Sequence, residues 1–337
     1  MKHKRIISMI AAAALLLCAC GPDPANSQSA DDTALPEPTL PASEETDTGT
    51  PGEEGLITFT DDLGREVTIA ANPQKVVPMI GSFADIWCLA GGHDSIIATA
   101  DDAWTSFDLD LGEDVLNLGG VKAPVLEVLL SAQPDFVIGS CNTAANLEME
   151  DILVQAGIPV AYFDVASFED YLNMLNICTQ ITGQTENYTL YGENVITEVE
   201  NAIDRQDGSA PTVLYVRASG SSCKAKGSDG NVLGEMLAAL GCVNIADHDD
   251  SLLDNLSLEA IIAADPEYIF VVLQGSDPAK PMATLEKLLL SNPAWANLTA
   301  VKEGRLYYME HRLYNLKPNA QWGYAYEKLA DILYPAQ

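Results

Sequence analysis

Residues 126–138 read LEVLLSAQPDFVI, and 132 positions later residues 258–270 read LEAIIAADPEYIF. Leu, Glu, Ala and Pro recur at the same spacing, and most other positions exchange like for like. Each copy reads as a short helix stopped by proline and followed by an apolar strand. Two such units this far apart point to two lobes on one plan rather than to a short-period solenoid. The helical spacing predicts burial of Leu126, Leu129 and Leu130 in one copy and of Leu258, Ile261 and Ile262 in the other. Glu127 and Glu259 fall one residue on, about 100° around each helix, and should face solvent. Matched exposed carboxylates on two related lobes could dock a common partner at two points. They could equally complement the positive ends of their own helices, which on periodicity alone is the more ordinary reading.

The N-terminus decides the compartment. Lys2, Lys4 and Arg5 precede an apolar run over residues 6–17, too short to span a bilayer and typical of a secretory signal. Small residues before Cys20 suit lipoprotein processing, with residues 1–19 removed and Cys20 acylated; ordinary cleavage near Ala19 is the alternative. No later stretch is long and apolar enough to span, so the lipid is expected to anchor the protein on the outer side of the cell membrane. Residues 20–56 are rich in Pro, Ser, Thr and acidic residues and carry no Lys or Arg, which predicts a disordered acidic tether. The formal charge of −32 argues against a nucleic-acid partner and against adsorption on anionic lipid. The five cysteines after Cys20 are odd in number and lack zinc-like spacing. Cys223 with Cys242 is the one pair considered for a disulfide.

From residue 57 onward, strand and helix patterns alternate. Residues 57–60 and 66–69 flank the turn Asp61-Asp62-Leu63-Gly64-Arg65 as a hairpin. A strand is expected at 75–80, with Pro78 marking an edge or bulge. Helix 83–90, strand 95–100, the first repeat, helix 145–156 and strand 158–164 complete an N-terminal lobe, 57–184. A helix over 185–206, about 33 Å long, should bridge to a C-terminal lobe, 207–337, with Tyr188, Tyr191, Val195, Val199 and Ala202 on one face. The fold class expected is α/β: two related lobes with central, mostly parallel sheets joined by a long bridging α-helix. Such a connection favours small lobe movements over a wide hinge.

With the lipobox, the tether and the duplicated LExxxxAxP unit in view, the chain resembles the class III substrate-binding proteins of ABC importers, the receptors for ferric siderophores, haem and vitamin B12. The stretch ITFTDDLGREVTIAANPQKVVPMIGSFADIWCLAGGHDSIIAT, residues 57–99, is similar to the start of that family's N-terminal lobe. The resemblance covers essentially all of 57–337. It implies that Glu127 and Glu259 dock into arginine pockets of the permease dimer, which its cytoplasmic ATPase drives, and this outweighs the helix-end reading. It also implies a monomeric receptor, with no covalent cofactor beyond the lipid, carrying a ferric siderophore, haem or cobalamin in the cleft between lobes.

The cleft loops should follow the carboxyl ends of the strands. On the N-terminal side they carry Ser82, Phe83, Asp102, Trp104, Cys141 and Asn142; on the other, Arg217, Ser221, Lys224, Lys226, Gln274, His311, Arg312 and Tyr314. The ligand-binding set expected from these is Ser82, Phe83, Trp104, Asn142, Arg217, Lys224, His311, Arg312 and Tyr314. Arg217, Lys224 and Lys226 lie within ten residues in a cation-poor chain. They suit an anionic chelate or haem propionates, although Lys224 and Lys226 could equally decorate a solvated loop. His311 and Met79 are the candidates for an axial haem ligand; no bare-metal site is expected. The alternative function is an extracellular enzyme on the same scaffold, such as a metal-tetrapyrrole chelatase. It finds no nucleophile elbow, HExxH or P-loop in the sequence, and a non-enzyme is expected.

Overall fold

In the computed structural model residues 55–275 and 277–335 are described. The expected signal, Cys20 and nearly all of the expected tether lie outside these residues. Strands β1 (Leu56–Thr60) and β2 (Glu66–Ala70) pair antiparallel with Thr60 opposite Glu66. The turn between them closes on buried Asp61. One of its oxygens accepts from the Leu63 and Arg65 backbone N–H groups at 3.1 and 3.0 Å, and the other accepts from the Tyr162 N–H at 3.1 Å. Gly64, at φ 76°, supplies the left-handed residue that such a turn requires. Asp61 thereby pins the hairpin to the end strand of the first lobe.

That lobe contains β3 (Val76–Pro78), β4 (Ala98–Thr99), β5 (Leu116–Asn117), β6 (Phe136–Ser140) and β7 (Val160–Phe163). β3 pairs with β6 and β6 with β7, all parallel, while Val76 bridges to Ile96 just before β4. The second lobe contains β8 (Thr212–Ala218), β9 (Cys223–Lys226), β10 (Val243–Asn244), β11 (Tyr268–Leu273) and β12 (Leu306–Met309). Its parallel order is β10-β8-β11-β12, with β9 antiparallel on the edge of β8 that β10 leaves open. If β9 and the short β5 are set aside, and β4 is placed by the single bridge that Ile96 makes beside it, each lobe runs second strand, first, third, fourth. The duplication read from the repeat is therefore a duplication of sheet topology, with each repeat placing its strand third.

Pro78 stands where its sequence implied, at an edge. It ends β3, the outer strand of the sheet β3-β6-β7, which carries on its other side only the single bridge from Val76 to Ile96. Ile97 donates to the Val76 carbonyl at 3.0 Å, and Pro78 has no N–H to return the bond. The pairing towards β4 therefore stops after one bridge. The repeat helices, Leu126–Ala132 and Leu258–Ala264, are short as expected, but each buries only one side chain fully, Leu129 and Ile261. Leu126, Leu130 and Leu258 are partly buried and Ile262 is exposed. A seven-residue helix on the outer face of a sheet has one turn over the core and the rest at its margin.

The bridge is helical from Glu186 to Ile203, with a π turn over Thr189–Glu193. Such a turn leaves a carbonyl without its helical partner, and the Tyr171 hydroxyl donates to Tyr191 O at 2.8 Å. Val195, Val199 and Ala202 are buried and Tyr188 and Tyr191 half-buried, the face expected. They join one core that takes Phe83, Trp87, Phe136 and Phe163 from the first lobe and Tyr215 and Phe270 from the second. Trp322 and Leu329 of the closing helix Trp322–Leu333 complete it. Separate outer clusters lie on the far side of each sheet, around Leu129 and Val137 and around Ile261 and Val271. A shared, close-packed middle resists large relative rotation of the two sheets. The five described cysteines, Cys223 and Cys242 among them, are free.

Candidate functional site

In a sheet ordered 2-1-3-4, connections leave the first and third strands in opposite directions. A crevice opens between them at their carboxyl ends. The first and third strands are β3 and β6 in one lobe and β8 and β11 in the other, so these ends define the two walls of the candidate cleft.

On the first wall the chain turns from β3 into the helix Gly81–Leu89. The Gly81 N–H donates to Asp102 Oδ1 at 2.8 Å. A Cβ on Gly81 would lie 2.6 Å from the Ala103 backbone nitrogen, so the close crossing of these two turns depends on glycine. Burial raises the Asp102 carboxyl above its ordinary value, against the Gly81 hydrogen bond. Trp104 is half-buried at the margin of the shared core. Asn142, exposed after β6, donates from Nδ2 to Asp164 Oδ1, and the Asp164 N–H donates to Asp62 Oδ2 at 2.7 Å. Burial pushes the Cys141 thiol up to about 11, which keeps it protonated.

The second wall differs from the loop that the sequence implied. Residues 215–226 are a hairpin in which Arg217 stands opposite Lys224 and Tyr215 opposite Lys226. Alternation places all four on one face of the sheet, that on which Val213 and Tyr215 enter the shared core. Arg217 Nε donates to the Tyr215 hydroxyl at 3.2 Å, its one hydrogen bond among the described residues. Lys226 lies below the usual ammonium range through burial, then through the Arg217 and Lys224 charges. After β12, His311 Nε2 meets Asn315 Nδ2 at 2.9 Å, and Asn315 Oδ1 accepts from Gln274 at 3.4 Å. Burial, and then Arg217, lower the His311 pKa.

Lys317 was absent from the sequence-derived set, since nothing in its local pattern marks it. Burial is the main cause of its lowered pKa. It lies in the fields of Asp164, Asp170 and Asp102 from one lobe and of Arg217 from the other. Its backbone carbonyl accepts from the Arg312 guanidinium.

Several expected ligand contacts have other partners. Phe83 has no exposed surface and packs edge-on to Phe163 at 6.4 Å between ring centroids. Tyr314 is buried and donates to Ala325 O at 3.0 Å. Met79, the second axial candidate, is fully enclosed in the outer core of the first lobe. In each case an apolar side chain beside a strand end turns inward because the core there is continuous. Ser82 is buried, and its carbonyl accepts from Asn319 Nδ2 at 3.0 Å. Arg312 stacks on Phe107 at 4.0 Å, pairs with Asp85 at 3.0 Å and donates to the Lys317 carbonyl. Asn319 also donates to Asp85, at 2.7 Å. Asp85, Arg312 and Asn319 thus tie the helix after β3 to the segment after β12, and neither Asp85 nor Asn319 was singled out from sequence.

Glu127 and Glu259 are exposed in the first turns of the two repeat helices, and neither makes a hydrogen bond or ion pair among the described residues. Each helix ends beside the start of its third strand, so its first turn points toward the carboxyl-end side of the sheet, where the cleft opens.

His93, in a short helical turn, and His311, on the second wall, should titrate apart. His93 is raised by its hydrogen bonds to Asp94 and to the Asp110 carbonyl, whereas His311 is lowered. In a ring-nitrogen NMR titration, His93 should have its midpoint above the free-histidine value near about 6.5 and His311 below it. Because the folded pKa of His311 is depressed, its contribution weakens the fold as pH falls through the unfolded value. Equal midpoints would refute the burial of the His311 ring.

A known family described as "Periplasmic binding protein" matches residues 79–313. The chain is 23% identical over 252 residues to the Fe(3+)-citrate-binding protein YfmC of Bacillus subtilis, covering 73% of this chain and 76% of that protein. It is 21% identical over 228 residues to the high-affinity heme uptake system protein IsdE of Staphylococcus aureus (strain Newman), covering 66% and 75%. Among solved structures, the petrobactin-binding protein YclQ from Bacillus subtilis superposes with a TM-score of 0.66 at 17% identity, covering 82% of this chain and 99% of that one.

Proposed function

The chain belongs to the periplasmic binding protein family, and from that membership we propose that it is the extracytoplasmic receptor of an ABC importer, capturing an iron chelate between its lobes for delivery to a membrane permease. The observation that carries the reading is the pair of lobes that share one parallel run of strands, β3-β6-β7 and β8-β11-β12, each with a crevice at the carboxyl ends of its first and third strands. Relatives named for ferric citrate and for haem uptake support iron chelates as the cargo class. Arg217, Lys224 and His311 on one side and Trp104 and Asn142 on the other are the proposed contacts. Ser82, Phe83, Arg312 and Tyr314 would then support the walls from behind. Glu127 and Glu259 are the proposed docking points, each a single exposed carboxylate suited to an arginine pocket. Protein purified from its native host should carry iron and a visible absorption band from its chelate. Protein that takes up no iron chelate from a panel of them would refute the receptor reading.

The receptor would be held at the membrane by a lipid on Cys20, with the acidic segment 21–56 as the spacer. Cys20→Ser should move the protein from the membrane fraction to the medium or periplasm while leaving its unfolding midpoint unchanged. Continued membrane association of the variant, followed by fractionation and immunoblot, would argue against the anchor.

A further inference from the structure

The chemical class of the cargo can be narrowed, given the receptor reading above. The chain has 17 Lys and Arg against 49 Asp and Glu. Even so, Arg217, Lys224, Lys226 and Lys317 form no ion pair among the described residues. Three of them share one hairpin face, with Arg217 and Lys224 directly opposite in register. Like charges in that relation destabilise a strand pair, and an acidic chain offers many carboxylates that could relieve it. The arrangement is relieved instead if an anion bridges the two strands. Arg217 spends only Nε on Tyr215, which leaves both terminal nitrogens of its fork for a bidentate acceptor.

The two walls together are poor in what a flat tetrapyrrole or a corrin needs. Met79 and Phe83 are wholly enclosed and Tyr314 nearly so. The Nε2 of His311 is engaged by Asn315. A porphyrin face wants apolar walls and an open axial donor; the second wall presents cations and amide donors.

We propose that the cargo is a multiply anionic iron chelate built of oxygen donors, gripped by the Arg217 fork together with Lys224 across the hairpin, and that it is not haem or a corrin. Carboxylate and catecholate chelates share this chemistry, and the test separates them.

Ligand-stripped, full-length protein is titrated with ferric citrate, a ferric tris-catecholate, haem and cyanocobalamin, with tryptophan fluorescence and calorimetry as readouts. One of the two anionic chelates should bind more tightly than haem and cyanocobalamin, and the better of the two names the source. Arg217→Ala should weaken it by roughly 10- to 100-fold, the range for a lost charge-assisted hydrogen bond. Arg217→Lys should recover only part, because the fork is lost. Lys224→Gln, at an exposed position, tests the grip without threatening the fold. Its effect should shrink as salt rises. Tighter binding of haem or cyanocobalamin overturns the class while leaving the receptor reading standing. So does an anionic-chelate affinity that stays within twofold in both the Arg217→Lys and Lys224→Gln variants. Failure of all four probes to bind overturns the receptor reading and this proposal with it.

Discussion

Reversing both repeat glutamates, Glu127→Lys with Glu259→Lys, is expected to abolish uptake in whole cells while leaving the affinity for cargo within twofold. Both side chains are exposed and without partners among the described residues, so neither substitution breaks a bond inside the protein. The penalty to the fold is the loss of a favourable charge at a helix start and its replacement by an unfavourable one, about 0.3–1 kcal/mol for each change of that kind. At a desolvated interface the scale is different. Losing one member of a buried, hydrogen-bonded charge pair costs about 2–5 kcal/mol, and a lysine facing an arginine pocket adds repulsion to that loss. Two such sites acting on one docking event make the double variant far worse than either single one, which should retain partial uptake. Chelate binding by calorimetry and transport of labelled iron separate the two functions. Normal transport by the double variant would mean that the matched carboxylates serve only their own helices.

The repeat shows how far sequence reaches and where it stops. Its spacing identified two helices, two strands and two exposed glutamates, because periodicity depends on which side chains face a core. That it also encodes one strand order in both lobes follows from each repeat supplying the third strand of its sheet. The capping box at Ser167 and Asp170 and the left-handed Gly183 bound the helix Phe168–Thr182 as their chemistry requires. The cleft was less legible. Phe83, Tyr314 and Met79 stand next to strand ends, and position along the chain could not say that the shared core would draw in the first two and the outer core of the first lobe the third. The hairpin of β8 and β9 was hidden because its tip, Ser219-Gly220-Ser221-Ser222, and its alternating CKAK strand read equally well as a solvated loop. Asp85 and Asn319 acquire their partners from residues more than 220 positions away, and no local pattern carries that.

Those distant partners make the second large effect. Arg312→Ala should destabilise the folded protein by about 2–3 kcal/mol at neutral pH, somewhat less than the 3–5 typical of a wholly buried pair because solvent reaches both partners. The side chains of Arg312 and Asp85 retain 26% and 19% exposure, and the guanidinium also loses its stacking on Phe107 and its bond to the Lys317 carbonyl. What remains is a carboxylate in a poorly hydrated seam. Burial already raises the Asp85 pKa, while Asn319 and Arg312 act to lower it, so removing Arg312 lifts it further. A carboxyl whose folded pKa lies above its unfolded one favours folding below the unfolded value, and that advantage is lost as pH rises through the folded value. The cost of Arg312→Ala should therefore be largest near neutrality and shrink toward acid pH, and Asp85→Asn in the same background should recover part of it at neutral pH. Urea unfolding at two pH values measures both. A cost below 1 kcal/mol, or one unchanged between the two pH values, would show that the tie between Asp85 and Arg312 carries no weight. If the pattern holds, the segment after β12 is fastened to the first lobe by charge as well as by the shared core. Cargo must then be gripped by side chains within a nearly preset cleft and not by wide closure of the lobes upon it.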